Sequence, residues 1–226
     1  MKVVLFDIDG TLLHSNGFSK DAFFSALSET FDVDFNPGNI PWGWLTDKGV
    51  AEYGLKQIGI EQELIDEKLP QAFELLGEKW ANQASLADLV VYPDATWLVD
   101  ELSQSADYEL AVLTANCQQG AEHKLRLAGL DRYFNFLVAG SDIPQRNDLP
   151  EVALEKAQRA FGKSFSGADF IVIGDTPADV SCAKAWGMQA VAVATGRYSV
   201  EELEKCSADL VLDSLRPSQA LYDLLY

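Results

Sequence analysis

Residues 3–11 read Val-Val-Leu-Phe-Asp-Ile-Asp-Gly-Thr. A short apolar run enters two carboxylates spaced by one residue, then a glycine and a hydroxyl. Residues i and i+2 of an extended chain point the same way, so Asp7 and Asp9 begin on one side. Gly10 permits a sharp turn and brings backbone N–H groups close to a ligand. One carboxylate of such a pair can attack and the other can shuttle a proton, provided a cation reduces their repulsion. An open α/β sheet places its active site at the carboxyl ends of its strands. A strand followed by an acidic turn is the plain structural alternative.

Two further segments repeat the design. Residues 108–116, Tyr-Glu-Leu-Ala-Val-Leu-Thr-Ala-Asn, are an apolar strand ending in a hydroxyl and an amide. Residues 170–180, Phe-Ile-Val-Ile-Gly-Asp-Thr-Pro-Ala-Asp-Val, are a third strand ending in Gly-Asp, with a second Asp four residues on. These three elements, in this order, resemble the haloacid dehalogenase superfamily, in particular its Mg²⁺-dependent phosphatases. Residues 120–134 look like the helix and loop that follow the second motif there, and the likeness covers nearly the whole chain. It implies hydrolysis of a small phosphorylated metabolite by a Rossmann-like α/β parallel-sheet core carrying an inserted helical cap.

Phosphate monoesters hydrolyse slowly, and covalent catalysis divides the step in two. The resemblance implies that Asp7 attacks phosphorus and that Asp9 protonates the departing alcohol, then deprotonates the attacking water. It implies Mg²⁺ held by the Asp7 carboxylate, the Asp9 backbone carbonyl and Asp175, an oxygen set that suits this ion. Asp179, one helical turn beyond Asp175, is expected to hold a metal-bound water. Both acids also suit a helix N-terminus for its dipole alone. Thr114 matches the family's strand-end hydroxyl and, with the N–H groups of Ile8, Asp9 and Ala115, would cradle phosphate oxygens. Asn116 is expected either to touch substrate or to cap the next helix, and capping is the favoured reading. Thr11 would support the first turn.

One departure from the family pattern stands out. The usual motif lysine is missing from Gln-Arg-Asn-Asp-Leu-Pro-Glu (145–151), where Asn147 takes its place. Arg146 is the expected substitute, because its planar fork matches phosphate and stays charged; Lys163 is a weaker one. A solvated loop arginine is the alternative. Gly-Trp-Leu-Thr-Asp (43–47) resembles a segment of helical caps in phosphoglycolate phosphatase-like members, which puts Thr46 and Asp47 toward the leaving group. His14 reads as a hinge or surface residue and His123 as surface. Trp42, Trp44 and Trp80 read as packing rather than a substrate platform.

The chain has 226 residues, enough for one domain with an insertion, and 17 basic against 35 acidic side chains give a net charge of −18. That balance argues against nucleic acid and anionic membranes as partners. It also requires local positive potential wherever a phosphate binds, and all six Arg lie at or after Arg126. Three cysteines without a Cys-x-x-Cys spacing suggest reduced thiols. The first residues charge too quickly for a signal peptide and no apolar run reaches membrane-spanning length, so a cytoplasmic protein is expected. Its oligomeric state is not legible.

Helical periodicity covers 20–31, 47–58 and roughly 61–84, with a Pro/Gly/Trp-bearing connection at 35–46. The core pattern resumes at Leu89, and strands then alternate with helices to the end, implying a parallel sheet covered on both faces. The expected division is a core of 1–14 and 89–226 with a helical cap of 15–88. Alternatives are a sugar-phosphate mutase of the same superfamily, or a non-catalytic binding protein keeping the fold. A dehalogenase is disfavoured by the second Asp of the first motif.

Overall fold

A computed structural model describes residues 1–225. The chain opens with β1 (Lys2–Phe6), whose side chains divide cleanly between two apolar clusters. Val3 and Leu5 join one cluster, Val4 and Phe6 the other, as the two-residue period of a strand requires. A second short strand, β2 (Leu13–Ser15), leads into three helices, α1 (Phe18–Phe31), α2 (Asp47–Gln57) and α3 (Gln62–Gln83). The chain returns through β3 (Leu89–Val91) into α4 (Pro93–Ser103), whose first residue is a proline preset for a helix start.

Strands and helices then alternate: β4 (Tyr108–Leu113), α5 (Gln118–Leu127), β5 (Leu137–Val138), α6 (Leu149–Phe161), β6 (Phe170–Gly174), α7 (Pro177–Ala185), β7 (Gln189–Val193), α8 (Val200–Leu203), β8 (Leu210–Leu212) and α9 (Gln219–Leu225). Six of the strands form one sheet in the order β5-β4-β1-β6-β7-β8, and every pairing is parallel. Helices cover both faces, so β1, β4 and β6 read as near-continuous apolar runs. With β1 flanked by β4 on one side and β6 on the other, the three polar strand ends lie side by side.

The resumption at Leu89 needs correction. Leu89–Val91 does not enter the main sheet; it pairs antiparallel with β2, an element the periodicity missed. The reason is visible in burial: Leu89 is buried while Val90 is 46 % exposed, a half-covered ribbon rather than a strand enclosed on both faces. The ribbon is the stem from which α1–α3 grow. Those helices pack on one another, α3 lies against α5, and Phe23, Leu27, Phe73 and Trp80 share an apolar cluster with Val4 and Phe6. Gly77 on α3 permits that approach, since a Cβ there would lie 3.0 Å from Gln119 on α5.

Candidate active site

Beyond β1 the Asp7 N–H bonds the Ile173 carbonyl at 2.9 Å, continuing the β1–β6 pairing past the strand. The chain then turns: the N–H groups of Leu12 and Leu13 both reach the Ile8 carbonyl. Gly10 holds φ at +90°, and a Cβ there would fall 2.4 Å from Asp175 Oδ2. Only glycine supplies both the left-handed backbone and the missing atom.

The third strand end provides two more carboxylates. Thr176 caps α7 and exchanges a capping box with Asp179, whose Oδ2 accepts from the Thr176 N–H at 3.0 Å and hydroxyl at 2.7 Å. Asp7, Asp175 and Asp179 are all buried, and each brings an oxygen within 4.8 Å of the others. Burial pushes Asp7 well above the usual carboxylate range and Asp179 adds to it, while Arg146 opposes. Burial and Asp179 likewise raise Asp175 to about 7. Asp175 Oδ1 is buried without a hydrogen-bond partner among the described residues. Gly196 abuts the same carboxyl, where a Cβ would lie 1.7 Å from Oδ2. Three hard oxygens, one of them orphaned, fit a Mg²⁺ ion.

The cation of this cluster is Arg146, in a short turn (Arg146–Asp148) before α6. It is no solvated loop residue: 4 % of it is exposed, and Nη2 donates to Asp7 Oδ1 at 3.0 Å and also to Asp179 Oδ1. Although burial disfavours its charge, Asp179 and Asp7 more than compensate and raise its pKa further. Its Nε is buried and has no partner among the described residues. Lys163 lies elsewhere, exposed before β6 with its ammonium 4.9 Å over the Phe165 ring.

At the second strand end Thr114 is fully buried, and its hydroxyl accepts from the Asn116 N–H at 3.2 Å and from Asn116 Nδ2 at 2.9 Å. Ala115 turns its carbonyl to the Asp47 N–H at 2.7 Å. Asn116 does not cap α5. Cys117 occupies that position without a side-chain bond, and Asn116 instead donates to Asp9 Oδ2 at 2.7 Å. The stronger local attraction of a carboxylate explains the change.

Sequence reasoning missed Lys124. This α5 lysine is 1 % exposed, with Nζ 2.5 Å from Asp9 Oδ2, 2.6 Å from Asn116 Oδ1 and 5.6 Å from the centre of the Trp80 ring. Burial alone would raise Asp9, but the Lys124 ammonium and the bonds from Lys124, Asn116 and Ser15 outweigh it and lower its pKa. A signal was available: Lys124 falls on the helical stripe of Ala121, Leu125 and Ala128, where an unpaired cation is costly.

Asp9, Gly10, Asp175 and Asn116 line a cavity of about 670 Å³ that extends past Phe23 and Trp80 to Lys20 and Arg197 at its rim. Asp7 is not among the lining residues and sits behind them, 4 % exposed. Asp47 faces the cavity; its Oδ2 accepts from the Cys117 N–H at 2.7 Å, and burial raises its carboxyl to about 6. Thr46 does not face it. That residue is fully buried, caps α2 by accepting from the Gly49 N–H at 3.3 Å, and donates its hydroxyl to the Ile143 carbonyl, which leaves no group for substrate. Trp80 packs edge-on against Phe18, and Trp42 stacks on Phe24 while still lining the cavity. His14 is exposed on β2 at the same cavity, and His123 is half-buried on α5.

A family model described as haloacid dehalogenase-like hydrolase matches residues 4–193. The chain is 26 % identical over 225 residues to the pyrophosphatase PpaX of Halalkalibacterium halodurans, covering 95 % of this chain and 94 % of that protein. It is 30 % identical over 220 residues to a phosphoglycolate phosphatase of Rhodospirillum rubrum, covering 94 % and 87 %. Among solved structures, CbbY of Rhodobacter sphaeroides in complex with phosphate superposes with a TM-score of 0.69 at 18 % identity over 95 % of each chain. That last likeness is one of fold.

Proposed function

Because the chain belongs to the haloacid dehalogenase-like hydrolases, we propose that it is a phosphatase that cleaves a small phosphate monoester through Asp7. The observation that carries this reading is the buried cluster of Asp7, Asp175 and Asp179 around Arg146, behind a cavity lined by Asp9 and Asn116. The phosphatases among its relatives support it.

Arg146 engages Asp7 Oδ1, which leaves the other carboxylate oxygen outside that ion pair. In the proposed reaction an Asp7 oxygen attacks phosphorus in line, the bond to the leaving oxygen breaks, and that oxygen takes the proton of the Asp9 carboxyl, whose pKa the negative charge of the bound phosphate raises against the lowering effect of Lys124. A water molecule then attacks the aspartyl phosphate, gives its proton to Asp9, and releases inorganic phosphate with Asp7 regenerated. In this reading the Thr114 hydroxyl and Arg146 stabilise the phosphoryl oxygens. Asp7, Asp175 and the Asp9 carbonyl would hold Mg²⁺, which would supply charge neutralisation between carboxylate and phosphate, with Asp179 beside them holding Arg146 and Thr176.

Residues 15–88 act as a cap whose docking excludes bulk water, and 1–14 with 89–226 form the catalytic core. No helix among the described residues is long and apolar enough to cross a membrane. All three cysteines are free thiols, which supports a cytoplasmic setting. The test is Mg²⁺-dependent release of phosphate from p-nitrophenyl phosphate. Asp7→Asn, nearly isosteric, should abolish turnover with the fold intact; a near wild-type rate would end the covalent mechanism.

A further inference from the structure

Arg146 is placed by a loop that has little support of its own. The Ile143 and Pro144 carbonyls both accept from Thr46, Pro144 from its N–H at 3.3 Å and Ile143 from its hydroxyl. The neighbouring contacts extend the same seam. The Arg146 N–H reaches the Trp44 carbonyl at 3.4 Å, Leu45 and Gln145 form an antiparallel bridge, and the Lys48 N–H reaches the Gly140 carbonyl at 3.2 Å. Gly49 lies so close behind that a Cβ would fall 2.2 Å from the Pro144 carbonyl oxygen.

We infer that Thr46 and Gly49 are positioning residues for Arg146: the segment entering α2 clamps the 140–146 loop and thereby seats the guanidinium between Asp7 and Asp179. The inference rests on the proposed role of Arg146 at the phosphoryl group. It follows from the economy of the contacts. A proline-bearing irregular loop has many conformations to lose, and a buried carbonyl seeks a donor. Thr46 supplies the donors to the Ile143 and Pro144 carbonyls, and its third bond, to the Gly49 N–H, ties the same side chain to the first turn of α2. The inserted helices therefore bear on the catalytic cation through main-chain bonds, independently of anything they contribute to the cavity.

Thr46→Val keeps the shape and removes the hydroxyl, while Thr46→Ser keeps the hydroxyl. Small misplacements at a reacting centre cost up to about a hundredfold, so Thr46→Val should lower kcat/KM for p-nitrophenyl phosphate by about tenfold or more, and Thr46→Ser should stay within about twofold of wild type. Inorganic phosphate should bind more weakly to Thr46→Val by a similar factor, read by calorimetry. The discriminating step is a double-mutant cycle. In an Arg146→Ala background, Thr46→Val should change phosphate affinity by less than about twofold. Gly49→Ala pushes the loop from behind and should show the same dependence on Arg146, which keeps the test informative if Thr46→Val folds poorly. Equal losses with and without Arg146, or equal losses from Val and Ser at position 46, would overturn the clamp. Full activity and affinity in Arg146→Ala alone would instead remove the role assigned to Arg146.

Discussion

Arg146 Nη2 lies 3.0 Å from Asp7 Oδ1, so the proposed nucleophile and the one cation bonded to it among the described residues are joined inside the protein before any ligand arrives. The guanidinium also bonds Asp179, and so spans two of the three clustered carboxylates. Arg146→Ala should therefore cost stability as well as activity, against the expectation for a loop arginine. Breaking one side of a buried ion pair typically costs about 3–5 kcal/mol, and denaturant unfolding without metal should show a loss of that order. Arg146→Lys should recover charge without the fork and restore only part of the rate. An unchanged unfolding midpoint for Arg146→Ala would contradict the burial on which this rests.

The Lys124–Asp9 pair predicts a pH dependence. Lys124 holds the folded-state pKa of Asp9 below its unfolded value. The pair therefore stabilises above the unfolded carboxylate pKa of about 3.9 and loses that contribution as pH falls through the folded value. Lys124→Met should melt below wild type at pH 7, and the gap should shrink on acidification below about pH 4. A gap that stayed constant with pH would locate the effect in packing against Trp80 instead.

Asp47 predicts the opposite sign. Burial raises its folded pKa to about 6, so the stability it contributes is present below the unfolded pKa and is lost as pH rises through about 6. Asn retains an acceptor for the Cys117 N–H without the buried charge. The melting temperature of Asp47→Asn relative to wild type should rise between pH 4.5 and 7.5. A relative fall over that range would show that the ionised form is stabilised by something other than the Cys117 bond.

The strand ends were legible because they follow a local rule: apolar runs terminate in Asp7, Thr114 and Asp175, and the parallel sheet sets them side by side. What escaped depended on partners far along the chain. Lys124 is 115 residues from Asp9 and looked like one more charge on an amphipathic helix. Thr46 was read as facing a leaving group, because nothing local reveals that its hydroxyl finds Ile143, 97 residues away. The β2–β3 ribbon was missed because three residues are too few to establish a period. Asn116 was misread because a turn asparagine beside a helix start satisfies the capping pattern whether or not a carboxylate lies nearer.

Gly196 also carries no signal in the sequence, and it gives a test of the metal site that substitutes none of the proposed ligands. Its backbone abuts Asp175, so that a Cβ would lie 1.7 Å from Oδ2, and Gly10 abuts the same carboxyl, where a Cβ would lie 2.4 Å from Oδ2. Gly196→Ala should displace the carboxyl and raise the Mg²⁺ concentration for half-maximal activity by about 10–100-fold, the range found when a group that orients a metal ligand is lost. Asp175→Ala should raise it further. Magnesium binding followed by calorimetry should weaken in the same order, a readout independent of turnover. Gly196→Ala with an unchanged Mg²⁺ requirement would mean that Asp175 does not need its present position, and the ligand assignment would fall with it.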